Sequence, residues 1–285
     1  MKKALIGIYR FRGPLFYAST AVLVVNLLVG LSWWDGELLA ARTVIAVSAL
    51  AVFVFSVILT ILVPRILPKH AVRVVKSPVE GRWLGMNSPA TKVPSHGVRA
   101  YGQTYAIDLV FEPADSARPT FGGTLMRPAG SYPAFGQPVR AMVNGVVVKA
   151  SDSKRDHRAR SSLLSIAYLM IEGVVREIGG PGFIVGNHVT IRTDEGSFAT
   201  LAHLQRDSVT VKRGDQVREG THIGNCGNSG NSSEPHVHAQ LADRPNLWTA
   251  IGLPVAFASI ELDDDPTAVD GLPANNQHMI AHALT

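Results

Sequence analysis

The sequence predicts two transmembrane helices followed by a mainly β domain, an antiparallel β-sandwich or barrel-like fold with one inserted helix. Residues 15–34 and 43–63 are apolar stretches of 20 and 21 residues that carry no charge. Most of the remaining chain consists of short β-rich runs separated by turn residues, which is typical of a sandwich or barrel. One largely apolar stretch, residues 161–178, has a helical pattern instead.

The amino-acid composition of the chain excludes several classes of protein. The chain has 285 residues, of which 17% are charged, and its mean hydropathy is +0.16. These values exclude a disordered chain and a coiled coil. The single cysteine, Cys226, excludes an intramolecular disulfide framework and any multi-cysteine metal site.

The basic charge is concentrated at the N-terminal end. Residues 1–82 hold ten basic and three acidic residues, whereas residues 83–285 hold 17 basic and 19 acidic residues. A nucleic-acid-binding globule would carry its basic excess in the folded part. We therefore expect no nucleic-acid partner.

The N-terminal third, residues 1–67, is predicted to be a membrane anchor. A helix needs about 20 apolar residues to cross the hydrocarbon core of a bilayer, and both stretches have that length. Trp33 and Trp34 fit the aromatic belt at one interface. A signal peptide is the alternative for the first stretch, but its apolar region is too long and a second stretch follows at once.

Flanking charges predict the orientation of this anchor. The first stretch is preceded, and the second followed, by four basic residues each: Lys2, Lys3, Arg10 and Arg12, and then Arg65, Lys69, Arg73 and Lys76. The positive-inside rule places both flanks, and the chain after residue 65, in the cytoplasm.

The chain after the anchor divides into three segments. Residues 68–94, with scattered proline and glycine, are predicted to be a linker and lead-in. Residues 95–245 form the β domain, with β-rich runs at 105–111, 139–150, 187–193, 198–204 and 236–241. Its helical insert, residues 159–179, has a longest charge-free run of about ten residues, too short to span a bilayer. We expect it to pack on the β domain; a lid, or a face lying on the membrane, is the functional alternative. Residues 246–285 form a C-terminal extension without a clear signal.

Histidines supply the candidate chemistry. In Glu234-Pro-His-Val-His-Ala-Gln-Leu241, a strand places His236 and His238 on one face, because strand side chains alternate. His203 lies at a predicted strand end, and Asp108 lies in an otherwise apolar β run. A buried aspartate needs a partner, and a cation is a common one.

These residues occur in a pattern that resembles the lysostaphin-type zinc endopeptidases, which cut peptidoglycan cross-links. Similar blocks stand here in the family's order: Gly136-Gln-Pro-Val-Arg-Ala141, Asn144-Gly145-Val-Val, Gly186-Asn-His-Val-Thr-Ile191, Ala202-His-Leu204, Gly214-Asp-Gln-Val217, Gly220-Thr-His-Ile-Gly224, Gly227-Asn-Ser-Gly230 and Pro235-His-Val-His238. The resemblance covers residues 95–245, about half of the chain.

The resemblance implies a role for each matched residue. Asp108 and His238 match zinc ligands, His236 matches the general base, and His203 matches the histidine that stabilises the developing oxyanion. The family's usual first ligand, a histidine four residues before the aspartate, is replaced here by Thr104. We expect His96, twelve residues before the aspartate, to supply the third ligand instead.

This set predicts one Zn²⁺ per chain and a metalloendopeptidase that hydrolyses peptide bonds of peptidoglycan. Three protein ligands with an open fourth position define a catalytic zinc site, and zinc lowers the pKa of its bound water toward about 7. No HExxH motif is present to supply a glutamate base, so a histidine is the natural proton acceptor.

Two other functions remain as alternatives. Loss of the usual ligand at Thr104 favours a catalytically inactive member of the fold that binds cell wall or regulates another hydrolase. Some sugar-transport phosphocarriers share a similar β fold and use paired histidines, but they do not need the match at Asp108. The sequence leaves the bond that is cleaved and the oligomeric state open.

The remaining candidates are expected to have structural roles. His188 is predicted to be an ordinary strand residue, His157 a solvated residue in a basic turn, and His222 a loop residue. His278 and His282 have i, i+4 spacing on a predicted terminal helix. Cys226 is predicted to be a packed thiol.

Localisation combines two opposing predictions. Two transmembrane stretches predict a two-pass protein of the cell membrane that contacts the lipid bilayer. Peptidoglycan lies outside the membrane, so the motif predicts an external catalytic domain, whereas the flanking positive charge predicts a cytoplasmic one. Because the motif is the more specific signal, we favour the external domain.

Overall fold

The computed structural model describes residues 2–30, 36–263 and 265–282 of the chain. It divides into two units, Met1–Lys69 and His70–Thr285. The predicted interfacial residues Trp33 and Trp34 lie outside the described residues.

The first unit is helical. Its helices are α1 (Lys2–Tyr9), α2 (Arg12–Val29) and α3 (Gly36–Leu62), and a 3-10 turn, Val63–Ile66, follows α3. The rings of Phe16 and Phe53 pack with centroids 5.0 Å apart. Asn26 Nδ2 donates to the carbonyl oxygen of Arg42 at 3.1 Å. Arg12–Val29 and Gly36–Ile66 are long and apolar enough to cross a membrane.

The second unit is mainly β, as the sequence predicts. Its helices are α4 (Leu163–Ile178) and α5 (Pro181–Val185), with 3-10 turns at Gln103–Tyr105 and Ala129–Ser131. Its strands are β1 (Arg73–Val75), β2 (Gly81–Met86), β3 (Ile107–Phe111), β4 (Met126–Arg127), β5 (Pro138–Arg140), β6 (Gly145–Ser151), β7 (Ala159–Arg160), β8 (Asn187–Arg192), β9 (Phe198–Leu204), β10 (Gln216–Val217), β11 (His222–Asn225), β12 (Val237–Ala242), β13 (Gly252–Leu253), β14 (Val255–Leu262), β15 (Asp265–Gly271) and β16 (His278–Ala281).

Twelve of these strands form one sheet within the described part of the chain. Its main order is β1-β14-β16-β2-β3-β12-β9-β8-β6-β10, with β13 beside β12 and β15 beside β14. Only β1 and β14, of the described strand pairs, run parallel. The sheet is open over the described residues, so the barrel-like variant of the prediction does not close.

Two stretches contribute more to this sheet than the sequence indicates. Residues 68–94, predicted as a linker and lead-in, contain β1 and β2, and β2 pairs directly with β3. Residues 246–285, predicted as an extension, contain β13 to β16. Both stretches are short and interrupted by turn residues, and their strands form only because they pair with segments distant in sequence.

Side chains of the central strands alternate between the hydrophobic core and the other face of the sheet. Ile107 and Leu109 of β3 and Ala239 and Leu241 of β12 belong to the main hydrophobic core. Their neighbours, which point the other way, include the polar residues of interest. Those residues are buried too, so the central strands are covered on both faces.

Candidate metal centre

Strand pairing brings the first two site residues together. Asp108 on β3 is the register partner of His238 on β12, and residues opposite each other share a face of the sheet. Asp108 Oδ1 and His238 Nδ1 are 2.9 Å apart. The predicted strand fold therefore juxtaposes these two predicted ligands.

His236 joins them from the residue before the start of β12. Its Nε2 lies 3.6 Å from Asp108 Oδ1. Its Nδ1 lies 2.8 Å from the carbonyl oxygen of Glu234, which can only accept a hydrogen bond, so Nδ1 carries the proton. In the neutral ring Nε2 then holds the lone pair and faces the carboxylate.

His96 reaches the same carboxylate from a loop. Its Nε2 lies 3.1 Å from Asp108 Oδ2, and its ring centroid lies 5.0 Å from that of His238. The preceding Ser95 donates from its backbone N–H to the carbonyl oxygen of Thr104 at 3.1 Å. The segment containing Thr104 therefore contributes a backbone anchor for the His96 loop.

His203 enters the site through an irregularity in β9. Ala202 pairs with His188 and Leu204 with Asn187, so His203 is the unpaired extra residue of a bulge. It has φ 61, in the left-handed region that costs a non-glycine residue energy. Regular alternation would point His203 into the core with Leu201. Instead, its ring centroid lies 4.6 Å from that of His236.

A close backbone contact supports the bulge. His203 Nδ1 lies 2.8 Å from the carbonyl oxygen of Ser229. The segment of Ser229 approaches β8 where Gly230 faces Gly186, and a Cβ on Gly230 would lie 2.5 Å from the backbone nitrogen of Gly186. Only glycine permits this approach. The Gly-Asn-Ser-Gly run thus places the acceptor for His203.

Two supporting residues were missed by the sequence analysis. Asn87 Nδ2 donates to Asp108 Oδ2 at 2.8 Å. Gln240 Oε1 lies 2.9 Å from His238 Nε2, and Gln240 Nε2 donates to the carbonyl oxygen of Tyr101 at 3.1 Å. Alternation from His238 could have identified Gln240, whereas nothing in the predicted linker pointed to Asn87.

The electrostatics of the cluster follow from one buried anion among imidazoles. Burial raises the pKa of Asp108, but attraction to His96 and His236 and hydrogen bonds to His238 and His96 lower the pKa well below its usual value. Burial lowers the pKa of His238, but its hydrogen bond and attraction to Asp108 raise the pKa overall. Burial, with repulsion by the neighbouring imidazoles, lowers the pKa of His203 well below its usual value.

His96, Asp108 and His238 form a donor set that could hold a metal ion. Their ligand atoms all lie within 4.8 Å of one another. Ligands of a tetrahedral zinc ion lie about 3.3 Å apart. The 3.1 Å from His96 to Asp108 and the 2.9 Å from Asp108 to His238 are close to that spacing. Two imidazoles and an ionised carboxylate are donors that zinc prefers.

Other histidines lie outside this cluster. His188 is buried on β8 with Nδ1 2.8 Å from the carbonyl oxygen of Gly186, and burial lowers its pKa to about 4. His157 is half-buried rather than fully solvated: its Nε2 lies 2.8 Å from the carbonyl oxygen of Gly230, and burial lowers its pKa. His222 Nε2 lies 2.9 Å from Asn225 Oδ1.

The predicted terminal helix is wrong. His278 lies on strand β16, where its Nε2 contacts Glu112 Oε2 at 2.8 Å, and His282 contacts Glu261. Pairing of β16 with β2 and β14 outweighs the helical spacing of these two histidines. Cys226 is a fully buried free thiol, as predicted, and burial raises its pKa.

The sequence match to a known family agrees with this constellation. Residues 165–247 match the model of the family described as Peptidase family M23. The matched range contains His203, His236 and His238, whereas His96 and Asp108 lie before it. Over these residues the chain is similar to the M23 peptidases, the lysostaphin-type family that its motifs resemble.

Solved structures give a more distant likeness. The catalytic domain of lysostaphin from Staphylococcus simulans is 20% identical with a TM-score of 0.32, and the match covers 61% of this chain and 88% of that one. The catalytic domain of EnpA from Enterococcus faecalis is also 20% identical with a TM-score of 0.32, covering 65% and 92%. A zinc-containing peptidase from Vibrio cholerae is 18% identical with a TM-score of 0.29, covering 70% and 37%. A second, longer structure of lysostaphin is matched over 54% of this chain and 45% of that one. The likeness to a peptidase family rests on the sequence match over residues 165–247.

Proposed function

We propose that this chain is a membrane-anchored zinc metalloendopeptidase that hydrolyses peptide bonds of peptidoglycan. The observation that carries this proposal is the convergence of His96, Asp108 and His238 on one point, with His203 and His236 beside it. The match of residues 165–247 to a peptidase family supports the reaction type. The two helices long and apolar enough to cross a membrane support the anchor.

His96, Asp108 and His238 would hold one zinc ion. When bound, zinc would polarise the scissile carbonyl and acidify the attacking water. Asp108 suits the role of ligand because its lowered pKa keeps it ionised. His238 would ligate through Nδ1, because Nδ1 faces Asp108 while Nε2 faces Gln240 Oε1. That arrangement fixes the proton on Nε2, where it donates to the amide oxygen.

His236 is the proposed general base. Its Nδ1 proton is committed to the carbonyl oxygen of Glu234, so Nε2 is the nitrogen that can accept a proton from the attacking water. Its 3.6 Å separation from Asp108 leaves Nε2 close to the proposed metal position without being held by the carboxylate. After accepting the proton, Nε2 can pass it to the leaving amine.

His203 is the proposed stabiliser of developing negative charge. Its Nδ1 donates to the carbonyl oxygen of Ser229, so a second proton, on Nε2, is needed for it to donate to an oxyanion. Burial disfavours that doubly protonated state in the free protein. An anionic tetrahedral intermediate beside Nε2 would favour it, so this stabilisation would be strongest when the charge develops.

The alternative is an inactive member of the fold that binds cell wall or regulates another hydrolase. Replacement of the usual ligand by Thr104 is the observation behind this alternative. The position of His96 argues against it, because His96 completes a three-donor set. The proposed substrate places the peptidase domain, residues 95–245, outside the cell. An alkaline phosphatase fusion at the C-terminus should therefore be active, and an inactive fusion would contradict this topology.

Zinc content and hydrolysis together test the proposal. Purified full-length chain, kept free of chelators, should contain about one zinc per chain and release peptides from peptidoglycan, measured by elemental analysis and mass spectrometry. His236→Ala should retain zinc and lose activity by roughly 10²–10⁴-fold. His222→Ala, a histidine outside the cluster, is the matched control. Wild-type protein that contains no zinc would refute the enzyme and favour the binding or regulatory alternative.

A further inference from the structure

Helix α4 exposes its apolar residues. Two strongly exposed side chains are Leu163 at 80% and Ile178 at 84%. The others on this face, all exposed large hydrophobic residues, are Leu164, Tyr168, Met170, Ile171, Val174 and Val175. We call these eight residues the outer face of α4. Their spacing follows the helical period, so they form one continuous stripe.

The polar side of the same helix faces the domain. Ser165 and Gly173 are buried. Glu172 is paired with Arg160 and with Arg176, and Arg176 donates to Asn231 Oδ1 at 3.2 Å. A surface helix normally packs its apolar stripe on the core and turns its polar side to water. In α4 only Ile166 and Leu169, both half-buried, are large apolar residues on the side toward the domain, so the outward stripe requires a cover other than its own domain.

Further apolar side chains extend the outer face at both ends. Leu125 is 49% exposed, and its segment is joined to the start of α4 because Ser161 Oγ donates to the carbonyl oxygen of Thr124 at 2.6 Å. Phe183, 51% exposed, lies beyond the C-terminal end, where Gly179 approaches its ring. The exposed stripe is therefore longer than α4 itself.

Basic residues border this surface. The Lys154 ammonium lies 5.3 Å from the centroid of the Phe183 ring, and Arg155 and Arg158 of the same loop are exposed. Both acidic residues of α4 have partners: Glu172 is paired with Arg160 and Arg176, and Glu177 accepts a hydrogen bond from the Tyr101 hydroxyl at 3.3 Å. An apolar stripe bordered by exposed cations complements an anionic lipid surface.

The chain itself limits how far this domain lies from a bilayer. Only residues 67–72 separate the turn after α3 from β1. Six extended residues reach about 20 Å. If α3 crosses the membrane, these six residues keep the start of β1 within about 20 Å of the turn that follows α3.

We propose that the outer face of α4 lies in the interfacial layer of the lipid bilayer, with Lys154, Arg155 and Arg158 at the anionic headgroups. This inference rests on the proposed membrane anchoring but not on zinc or catalysis. The occupant is lipid, because an apolar stripe, a basic border and a short tether to a membrane anchor occur together. A second copy of the chain or a soluble partner would explain the apolar stripe, but it would not explain the basic border or the short tether.

Quenching by brominated lipid tests this contact. Full-length chain carrying Ile171→Cys is labelled with an environment-sensitive fluorophore and reconstituted into phosphatidylcholine–phosphatidylglycerol vesicles. Buried Cys226 stays unlabelled. Lys212→Cys, on an exposed turn away from α4, is the matched control. Brominated acyl chains should quench the Ile171 probe at least ~2-fold more than the Lys212 probe, and aqueous iodide should show the reverse order.

Other outcomes overturn the proposal in distinguishable ways. A blue-shifted Ile171 probe that bromine does not quench means that protein covers the outer face. An Ile171 probe that iodide quenches freely means that nothing covers it. Quenching that is unchanged in pure phosphatidylcholine refutes the headgroup contacts. Failure of the chain to float with vesicles refutes the anchoring as well, whereas flotation with an unquenched probe refutes only the contact of α4.

Discussion

The site residues are positioned in two different ways. Asp108 and His238 stand opposite each other on neighbouring strands, where regular register and alternation determine their contact. His96 and His203 reach the same point through irregular backbone, a loop in one case and a bulge with φ 61 in the other. Regular pairing thus positions two proposed ligands, and irregular backbone positions the third proposed ligand and the proposed charge stabiliser. Bulges commonly redirect side chains at functional sites in this way.

Removal of a proposed ligand from either class should have the largest effect. We expect Asp108→Asn and His96→Ala each to weaken zinc binding by more than 100-fold, beyond the 10–100-fold typical of outer-shell changes, and to abolish hydrolysis. Isothermal titration with zinc measures the affinity. His222→Ala is the control for loss of a histidine outside the site. Native zinc affinity in His96→Ala would mean that the loop does not supply the third ligand.

Loss of the bulged histidine should separate catalysis from metal binding. His203→Gln should lower kcat by about 10²–10³-fold, because one stabilising contact to the oxyanion is lost. Zinc content should stay at the wild-type value, and His282→Gln, an exposed histidine, should change neither. A decrease in zinc content that parallels the decrease in kcat would instead assign His203 to the metal site.

Substitution of Gln240 tests whether this residue orients the imidazole of His238. Gln240→Leu removes the acceptor for His238 Nε2 and should weaken zinc binding by about 10–100-fold. Gln240→Glu retains an acceptor and should restore most of the affinity. Gln216→Leu, on the exposed edge strand β10, is the control. Equal affinity in the Leu variant and the wild type would rule out a positioning role.

His188, which pairs with Ala202 beside the bulge, should affect stability rather than chemistry. Its folded pKa of about 4 lies below its unfolded value of 6.5, so the unfolded chain binds more protons between these pH values. This group should therefore lower the free energy of unfolding as pH falls from 6.5 to 4, by at most about 3 kcal/mol. Denaturant titrations of wild type and His188→Asn across that range measure it. An identical pH slope in the two proteins would contradict the prediction.

The regular half of the site was predictable because strand alternation is a local rule. The sequence places His236 and His238 on one face, and Asp108 in an apolar strand. The contact between Asp108 and His238 then requires only that β3 and β12 pair as neighbouring antiparallel strands. The same rule places Gln240, two residues after His238, on the same face of β12. The two membrane-length helices were equally predictable from the sequence, because a long apolar stretch without charge is enough to indicate them.

The positions of His96 and His203, which depend on irregular backbone, were predictable only through the resemblance to the lysostaphin-type family. Regular alternation would have turned His203 into the core with Leu201, and its motif context alone indicated otherwise. His96 is the nearest histidine upstream of Asp108, and its contact with Asp108 depends on the fold of an irregular loop. Asn87 had no signal, because strand β2 forms only through pairing with β3.

The sequence by itself determined the two apolar helices, the mainly β class and which histidines are candidates for the site, because these depend on composition, local period and motif. Tertiary structure alone decided which strands the ends of the domain contribute, how β9 turns His203 toward His236, and that α4 faces its apolar side outward. Each of these depends on contacts between segments far apart in the chain. Local propensity carries no information about such contacts.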